Sequence, residues 1–133
     1  MQKNLVTVPP DTSLLKAQKL IDEKKIAHLL VVDRNKKLVG LVSDRDLKRS
    51  WASSATTLSK HELNYLLNQL TLEAIMAKRI IAVSPGTTIE RAANFMQENR
   101  ISALPVMDQN ELVGIITTSD VMRVLLQAIG IDK

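Results

Sequence analysis

The chain has 133 residues, no cysteine, a formal net charge of +4 at pH 7, and Trp51, Tyr65 and Phe95 as its only aromatics. That length suits one compact unit with a real core, and the missing thiols exclude disulfides and thiolate metal sites. No apolar run is long enough to span a bilayer and no secretion signal is visible, while scattered basic residues and few stacking rings disfavour nucleic acid as a partner. A cytoplasmic protein that meets no membrane is therefore the expectation.

The sequence repeats itself. Residues 5–49 align with 80–123 at an offset of 75 as far as Asn35 and Asn110, then at 74 from Gly40 and Gly114 onward. The residue lost in the Lys36-Lys37 turn falls where a hairpin tolerates a length change. Each copy reads strand, helix, strand, turn, strand, helix, and is closed at its first strand by Val8-Pro9-Pro10-Asp11-Thr12 or Val83-Ser84-Pro85-Gly86-Thr87. Leu14, Ala17, Gln18 and Ile21 share one helical face, as do Ile89, Ala92, Ala93 and Met96. Thr87-Thr88-Ile89-Glu90 has the spacing of a capping box. Leu29–Val32 and Leu104–Met107 read as the middle strands, with Pro105 expected at a strand start or irregular edge because it lacks a ladder donor. The loops Asp33–Lys37 and Asp108–Glu111 are hairpin turns, and Gly130 is placed to stop the last helix.

Residues 50–76 have no repeat partner. Ser59-Lys60-His61-Glu62 opens a helix whose Leu63, Leu66, Leu67 and Leu70 form an apolar stripe, and a short helix over 71–76 leads into the second copy. Met1 aligns with Met76, so the natural chain is expected to begin further upstream. The division expected is a first motif over 1–50, a helical linker over 51–76 and a second motif over 77–133.

Each copy ends on a short apolar strand that runs into a helix start, Leu38–Leu47 and Leu112–Val121. Ser43 and Asp46, or Thr117 and Asp120, stand three residues apart across that joint. The spacing caps the first helical turn and also sets a hydroxyl and a carboxylate beside a helix N-terminus, where an anion is favoured. A cap alone needs no ligand. Arg45 is a cation in a first turn, where the helix dipole disfavours it, which suits a nearby anion unless Asp44 and Asp46 already balance it. Two separated histidines, His28 and His61, give no transition-metal site. No nucleophile elbow, phosphate loop or catalytic triad is present. Ser43, His28 and Asp46 could suggest a nucleophile and base, but a capping serine is committed elsewhere.

The ordered set of these features, present twice, resembles the cystathionine-β-synthase (CBS) domain, and two motifs in tandem look like a Bateman module. The stretch 42–47 and the linker Glu62–Leu67 look most like the acetoin-utilisation branch of bacterial CBS proteins, whose members usually carry a further C-terminal domain, so the chain is expected to be either a fragment or a stand-alone relative. The resemblance implies an α/β (α+β) fold of two β-α-β-β-α motifs related by a pseudo-two-fold, with sheets packed together and helices outside. It implies a non-catalytic regulatory module, with no cofactor required, that binds AMP, ADP, ATP or S-adenosylmethionine between the motifs and assembles as a homodimer. The alternative is a ligand-independent dimerisation or docking module. Carried over residue by residue, a preferred first cleft would use Ser43, Arg45, Asp46 and His28, with Ile81, Ile101 and Ser102 flanking adenine. A weaker second cleft would use Thr117, Ser119 and Asp120 with Val6, Ile26 and Ala27. In that cleft Ala103 replaces the family's basic residue.

Overall fold

A computed structural model describes residues 5–54, 58–78 and 80–130, with Ser53 and Ser54 by backbone alone. Met1 lies outside the described residues. The chain forms two units, residues 6–80 and the residues from Ile81 onward together with Leu5.

The first unit contains β1 (Thr7–Val8), α1 (Leu14–Lys24), β2 (His28–Val32), β3 (Leu38–Ser43), α2 (Asp44–Ser54) and α3 (Lys60–Gln69), then a 3-10 turn over Leu72–Ala74. Its sheet order is β1-β2-β3, with β1 parallel and β3 antiparallel to β2. Ala77 extends the far edge of β3 through two backbone bonds with Leu41 of 3.3 and 3.1 Å. The second unit repeats the plan with α4 (Ile89–Asn99), β4 (Ala103–Asp108), β5 (Glu111–Thr117) and α5 (Thr118–Ala128), and Val83 alone stands where β1 stood. Among the described residues no helix is long and apolar enough to cross a membrane.

Local chemistry accounts for these elements. Ser13 and Thr88 cap α1 and α4 by accepting from the backbone of Lys16 and Arg91. The expected box from Thr87 to Glu90 is therefore shifted by one residue. The Thr87 hydroxyl instead accepts the Ser84 N–H at 3.2 Å. Pro9, at the position of Ser84, has no N–H, and there Thr12 donates its hydroxyl to the Pro9 carbonyl at 2.8 Å. Both helices end on a left-handed residue, Lys25 with φ 53° and Arg100 with φ 54°, whose N–H returns to the last turn. Gly130, at φ 75°, stops α5 as expected.

The two hairpins explain the change of offset. The backbones of Asp33 and Lys37 pair at 2.9 Å around a three-residue loop in which Lys36 is left-handed. Asp108 pairs with Glu111 around two residues, Gln109 and Asn110, both at positive φ. These are the two commonest hairpin connections, and they differ by one residue.

Pro105 is inside β4 and not at its start. Its carbonyl accepts the Val83 N–H at 3.0 Å, so its ring nitrogen faces the same edge. At the equivalent position Leu30 donates to the Val6 carbonyl at 3.1 Å. The proline removes that bond, and the first strand of the second unit shrinks to a single bridge.

Each unit closes its own core. The first gathers Val8, Leu14, Ala17, Ile21, Leu29, Val31, Val42, Leu47, Leu67 and Leu72, with Trp51, Leu63, Leu70 and Met76 packed around them. The second gathers Val83, Ala92, Met96, Leu104, Val106 and Ile116, with Ile81, Phe95, Ile101 and Val121 around them. Leu66 departs from the expected stripe. With Leu58, His61, Glu62 and Tyr65 it lines a groove of ≈ 370 Å³ on the outer side of α3.

Gly40 sits where β3 passes the Met76 side chain, and a Cβ there would meet Met76 Cγ at 2.8 Å and Cβ at 3.2 Å. Gly40→Ala is expected to cost about 1–3 kcal/mol in urea unfolding, the usual cost of overpacking. The Gly40→Ala, Met76→Ala pair should cost less than the sum of the two single changes, because the second removes the atoms the first collides with.

Candidate functional site

In the first unit, β3 delivers Ser43 directly into the start of α2. Asp46 N–H donates to Ser43 Oγ at 3.0 Å, and Ser43 N–H donates to Asp46 Oδ2 at 3.0 Å. This is a reciprocal capping box that satisfies two orphan amides. The joint is tied to the preceding loop by the Asp44 N–H on the Ala27 carbonyl at 2.8 Å. His28 opens β2 directly opposite Ser43. The strand pairing and the cap therefore bring His28, Ser43 and Asp46 together, with Arg45 exposed beside them on the first turn of α2.

Burial pushes the His28 imidazole below its ordinary pKa, and the Asp46 carboxylate pulls in the other direction without cancelling it. Burial thus favours the neutral form of His28.

The second unit repeats the joint. Thr117 and Asp120 form the same box, with the Thr117 N–H on Asp120 Oδ2 at 2.8 Å. The Thr118 N–H reaches the Ser102 carbonyl at 3.0 Å, as Asp44 reaches Ala27. Ala103 faces Thr117 as His28 faces Ser43, so a methyl group occupies the place of the imidazole. Asp120 is buried and its other oxygen, Oδ1, accepts from Arg123 Nη1 at 3.2 Å. Burial raises its pKa, but the backbone and hydroxyl bonds from Thr117 and the bond from Arg123 outweigh this and hold it below the usual carboxylate range. No ion pair among the described residues engages Asp46. Ser119 is exposed on the first turn of α5.

The remaining candidates divide between the units. Ile81 and Ile101 pack against the second core and Ser102 is exposed beside them. Val6 and Ile26 pack against the first core and Ala27 is exposed. Among the described residues no group of three His, Asp or Glu could hold a metal ion.

Two features near these joints are absent from the motif reading. Gln18 on α1 donates to Asp22 at 3.1 Å and to Asp44 at 3.0 Å, clamping α1 to the start of α2. That bond, followed by the one from Lys48, lowers the Asp44 pKa. Only the i,i+4 spacing of Gln18 and Asp22 is visible in the sequence; the link to Asp44 joins residues 26 apart. Arg123, by contrast, stands three residues after Asp120, a spacing that signals a pair on a helix.

A family model, CBS domain, matches residues 1–53 and 72–127, and the chain belongs to that family. The mixed α/β fold of two β-α-β-β-α motifs agrees with solved CBS pairs. The chain is similar to a protein from Vibrio cholerae assigned to acetoin utilization (AcuB), at 32% identity over 97% of this chain and 88% of that one, with a TM-score of 0.74. It is also similar to the CBS domain pair of protein MJ0100, solved in complex with 5′-methylthioadenosine and S-adenosyl-L-methionine, at 28% identity over 93% of each chain, with a TM-score of 0.77. A homoserine O-acetyltransferase from Methanohalobium evestigatum is 33% identical over 126 residues, which is 94% of this chain but 23% of the relative. The chain thus spans about a quarter of such a relative's length.

The cap geometry sets two measurable outcomes. Thr117→Ala should lower stability by about 1 kcal/mol, as cap removal does. Two of the perturbed groups, Asp120 and His28, give pH limbs of the same sign. Asp120 titrates lower when folded, so its contribution is complete above the usual aspartate pKa and is lost as pH falls through the folded value. His28 also titrates lower when folded, so stability declines as pH drops below about 6.5, the ordinary histidine value. Unfolding midpoints from pH 3 to pH 8 should show a smaller acid limb in Asp120→Asn and no limb just below neutrality in His28→Gln.

Proposed function

We propose that this chain is a regulatory, non-catalytic module that binds an adenosine-containing ligand between its two CBS motifs, residues 1–50 and 77–133, joined by 51–76. The ligand class is AMP, ADP, ATP or S-adenosylmethionine, with no cofactor required. The observation that carries the reading is the turn of Ser43, Arg45 and Asp46 beside His28, taken with the adenosyl compounds held by the CBS pair of MJ0100.

The chemistry follows from the groups present. A carboxylate held by a cap keeps an oxygen for the ribose diol, and two acceptor oxygens suit two vicinal hydroxyls. The helix N-terminus and Arg45 favour a phosphate nearby. An arriving phosphate would raise the His28 pKa and draw a proton onto it. Ile81, Ile101 and Ser102 would flank the adenine. The second site, with Thr117, Ser119, Asp120, Val6, Ile26 and Ala27, is the weaker one. Arg123 already occupies Asp120 Oδ1, and Ala103 offers no charge to a phosphate. Binding would regulate by favouring one of two arrangements of the motifs, and only to the extent that the ligand prefers that arrangement. The module is proposed to act in the cytoplasm as a homodimer.

A second reading, a ligand-independent docking module, is favoured by one observation: both capping boxes are complete without a ligand. Titration calorimetry with AMP, ADP, ATP and S-adenosylmethionine separates the two. Asp46→Asn keeps an acceptor for the Ser43 amide but loses the charge. It should weaken binding about 10- to 100-fold, the cost of one charge-assisted hydrogen bond, while Asp120→Asn has a smaller effect. Unchanged affinity in Asp46→Asn would reject the assigned site. No heat with any of the four ligands at millimolar concentration would leave the docking reading.

A further inference from the structure

The clamp that joins α1 to α2 belongs to one copy of the repeat. Gln18 Nε2 donates to Asp22 Oδ1 at 3.1 Å and to Asp44 Oδ1 at 3.0 Å. Lys48 Nζ meets the other oxygen, Asp44 Oδ2, at 2.9 Å. Both oxygens of Asp44 are therefore engaged from outside the capping box. The bond to Asp44 raises the Lys48 pKa, with a smaller push from Asp22, so the four side chains act as one cluster. In the second copy Ala93, Gln97, Thr118 and Met122 stand at the positions of Gln18, Asp22, Asp44 and Lys48. None of the four carries a charge, and Met122 instead joins Leu125, Leu126 and Ile129 in an exposed apolar stripe on α5. The clamp thus occurs in the copy that has His28 and Arg45, where the other has Ala103 and Ser119.

The clamp is kept against a cost. Gln18 Oε1 is buried with no hydrogen-bond partner among the described residues, and an orphaned buried acceptor is destabilising. Turning the amide over would set that oxygen against two carboxylates, so the two N–H bonds fix its orientation. A helix that only had to pack could carry an apolar residue here, as α4 does with Ala93.

Electrostatics gives the clamp a task. The first turn of α2 holds Asp44, Arg45 and Asp46, one negative charge in excess, at the helix end where a phosphate is otherwise favoured. Asp46 is committed to the cap. Asp44 directly follows Ser43, and its bonds from Gln18 and Lys48 hold its carboxyl below the usual range. Protonation cannot silence it near neutral pH, so its charge has to be held and balanced. Gln18 holds it against α1 and Lys48 balances it. Without them an unpaired carboxylate beside Ser43 repels a phosphate and attracts a cation.

We propose that Gln18, Asp44 and Lys48 determine the specificity of the first site: by pinning and neutralising the Asp44 carboxylate, they make it prefer a phosphate-bearing adenosine ligand over a cationic sulfonium one. This deepens the adenosine reading given above and rests on it. The three act as positioning residues, through the field that Ser43, Arg45 and His28 present to the ligand.

Titration calorimetry of the full chain with AMP, adenosine and S-adenosylmethionine tests the proposal. The wild type should bind AMP more tightly than S-adenosylmethionine. The Gln18→Ala, Lys48→Met variant, which installs the residues of the second copy, should weaken AMP about 5- to 10-fold at low salt and less at high salt. It should leave adenosine unchanged and strengthen S-adenosylmethionine. Adding Asp44→Asn removes the released charge and should return AMP to the wild-type affinity. A merely structural clamp weakens all three ligands equally and gives no rescue, and either result overturns the proposal. So does a wild type that prefers S-adenosylmethionine, or an AMP affinity unchanged in the double variant. If AMP binding is weakened by Asp46→Asn but the ligand preference is unmoved by Gln18→Ala, Lys48→Met, the adenosine reading stands and the role of the clamp falls. A wild type that binds none of the three overturns both.

Discussion

At both strand-to-helix joints a carboxylate folds back onto the amide of the residue that caps its helix. That contact fixes the angle at which β3 enters α2 and β5 enters α5, and each joint is braced by a second amide reaching the preceding loop, at Ala27 and Ser102. The helices are short and of modest intrinsic stability, so the caps and the packed faces together decide that they form. The same constraint bears on function. A carboxylate locked by its own backbone loses little conformational freedom on meeting a ligand, and preorganisation of this kind saves part of the cost of binding.

The duplication gives two copies of that joint, and the copies have diverged in what surrounds them. Around Asp46 stand a half-buried histidine and an exposed arginine, and no described cation is paired with the carboxylate. Around Asp120 stand a methyl group and an arginine already paired with it. Divergence continues on the outer surfaces. In the first unit Gln18 clamps α1 to α2 and α3 supplies leucines beside Trp51. In the second, the equivalent helix keeps its apolar stripe exposed. One copy is therefore the chemically richer candidate for a ligand, and the other presents the more apolar outer helix.

Much of this is legible in residue order because the interactions concerned are local. The capping spacing of Ser43 and Asp46 spans three residues, the left-handed stop at Gly130 one, and the hairpin change from three loop residues to two appears directly as a shift of the repeat offset. Expectations fail where a competing local contact or a longer-range partner decides. Thr88 and not Thr87 caps α4, because the Thr87 hydroxyl is taken by Ser84. Pro105 is tolerated inside β4 because its missing donor faces the short first strand, a choice of edge that periodicity does not carry. Leu66 lines a groove with Leu58, His61, Glu62 and Tyr65, while Leu63, Leu67 and Leu70 pack on the first core.

Sequence alone determines the duplicated β-α-β-β-α plan, the membership in the CBS family and the placing of a hydroxyl and a carboxylate in one helical turn, since periodicity, caps and turn chemistry act over a few residues. Only the tertiary structure decides that His28 faces Ser43, that burial lowers its proton affinity, that Gln18 reaches Asp44 across 26 residues, and that the α5 stripe stays uncovered. Those properties depend on strand register and on which faces meet. Both are settled by packing between residues distant along the chain, for which local pattern supplies no rule.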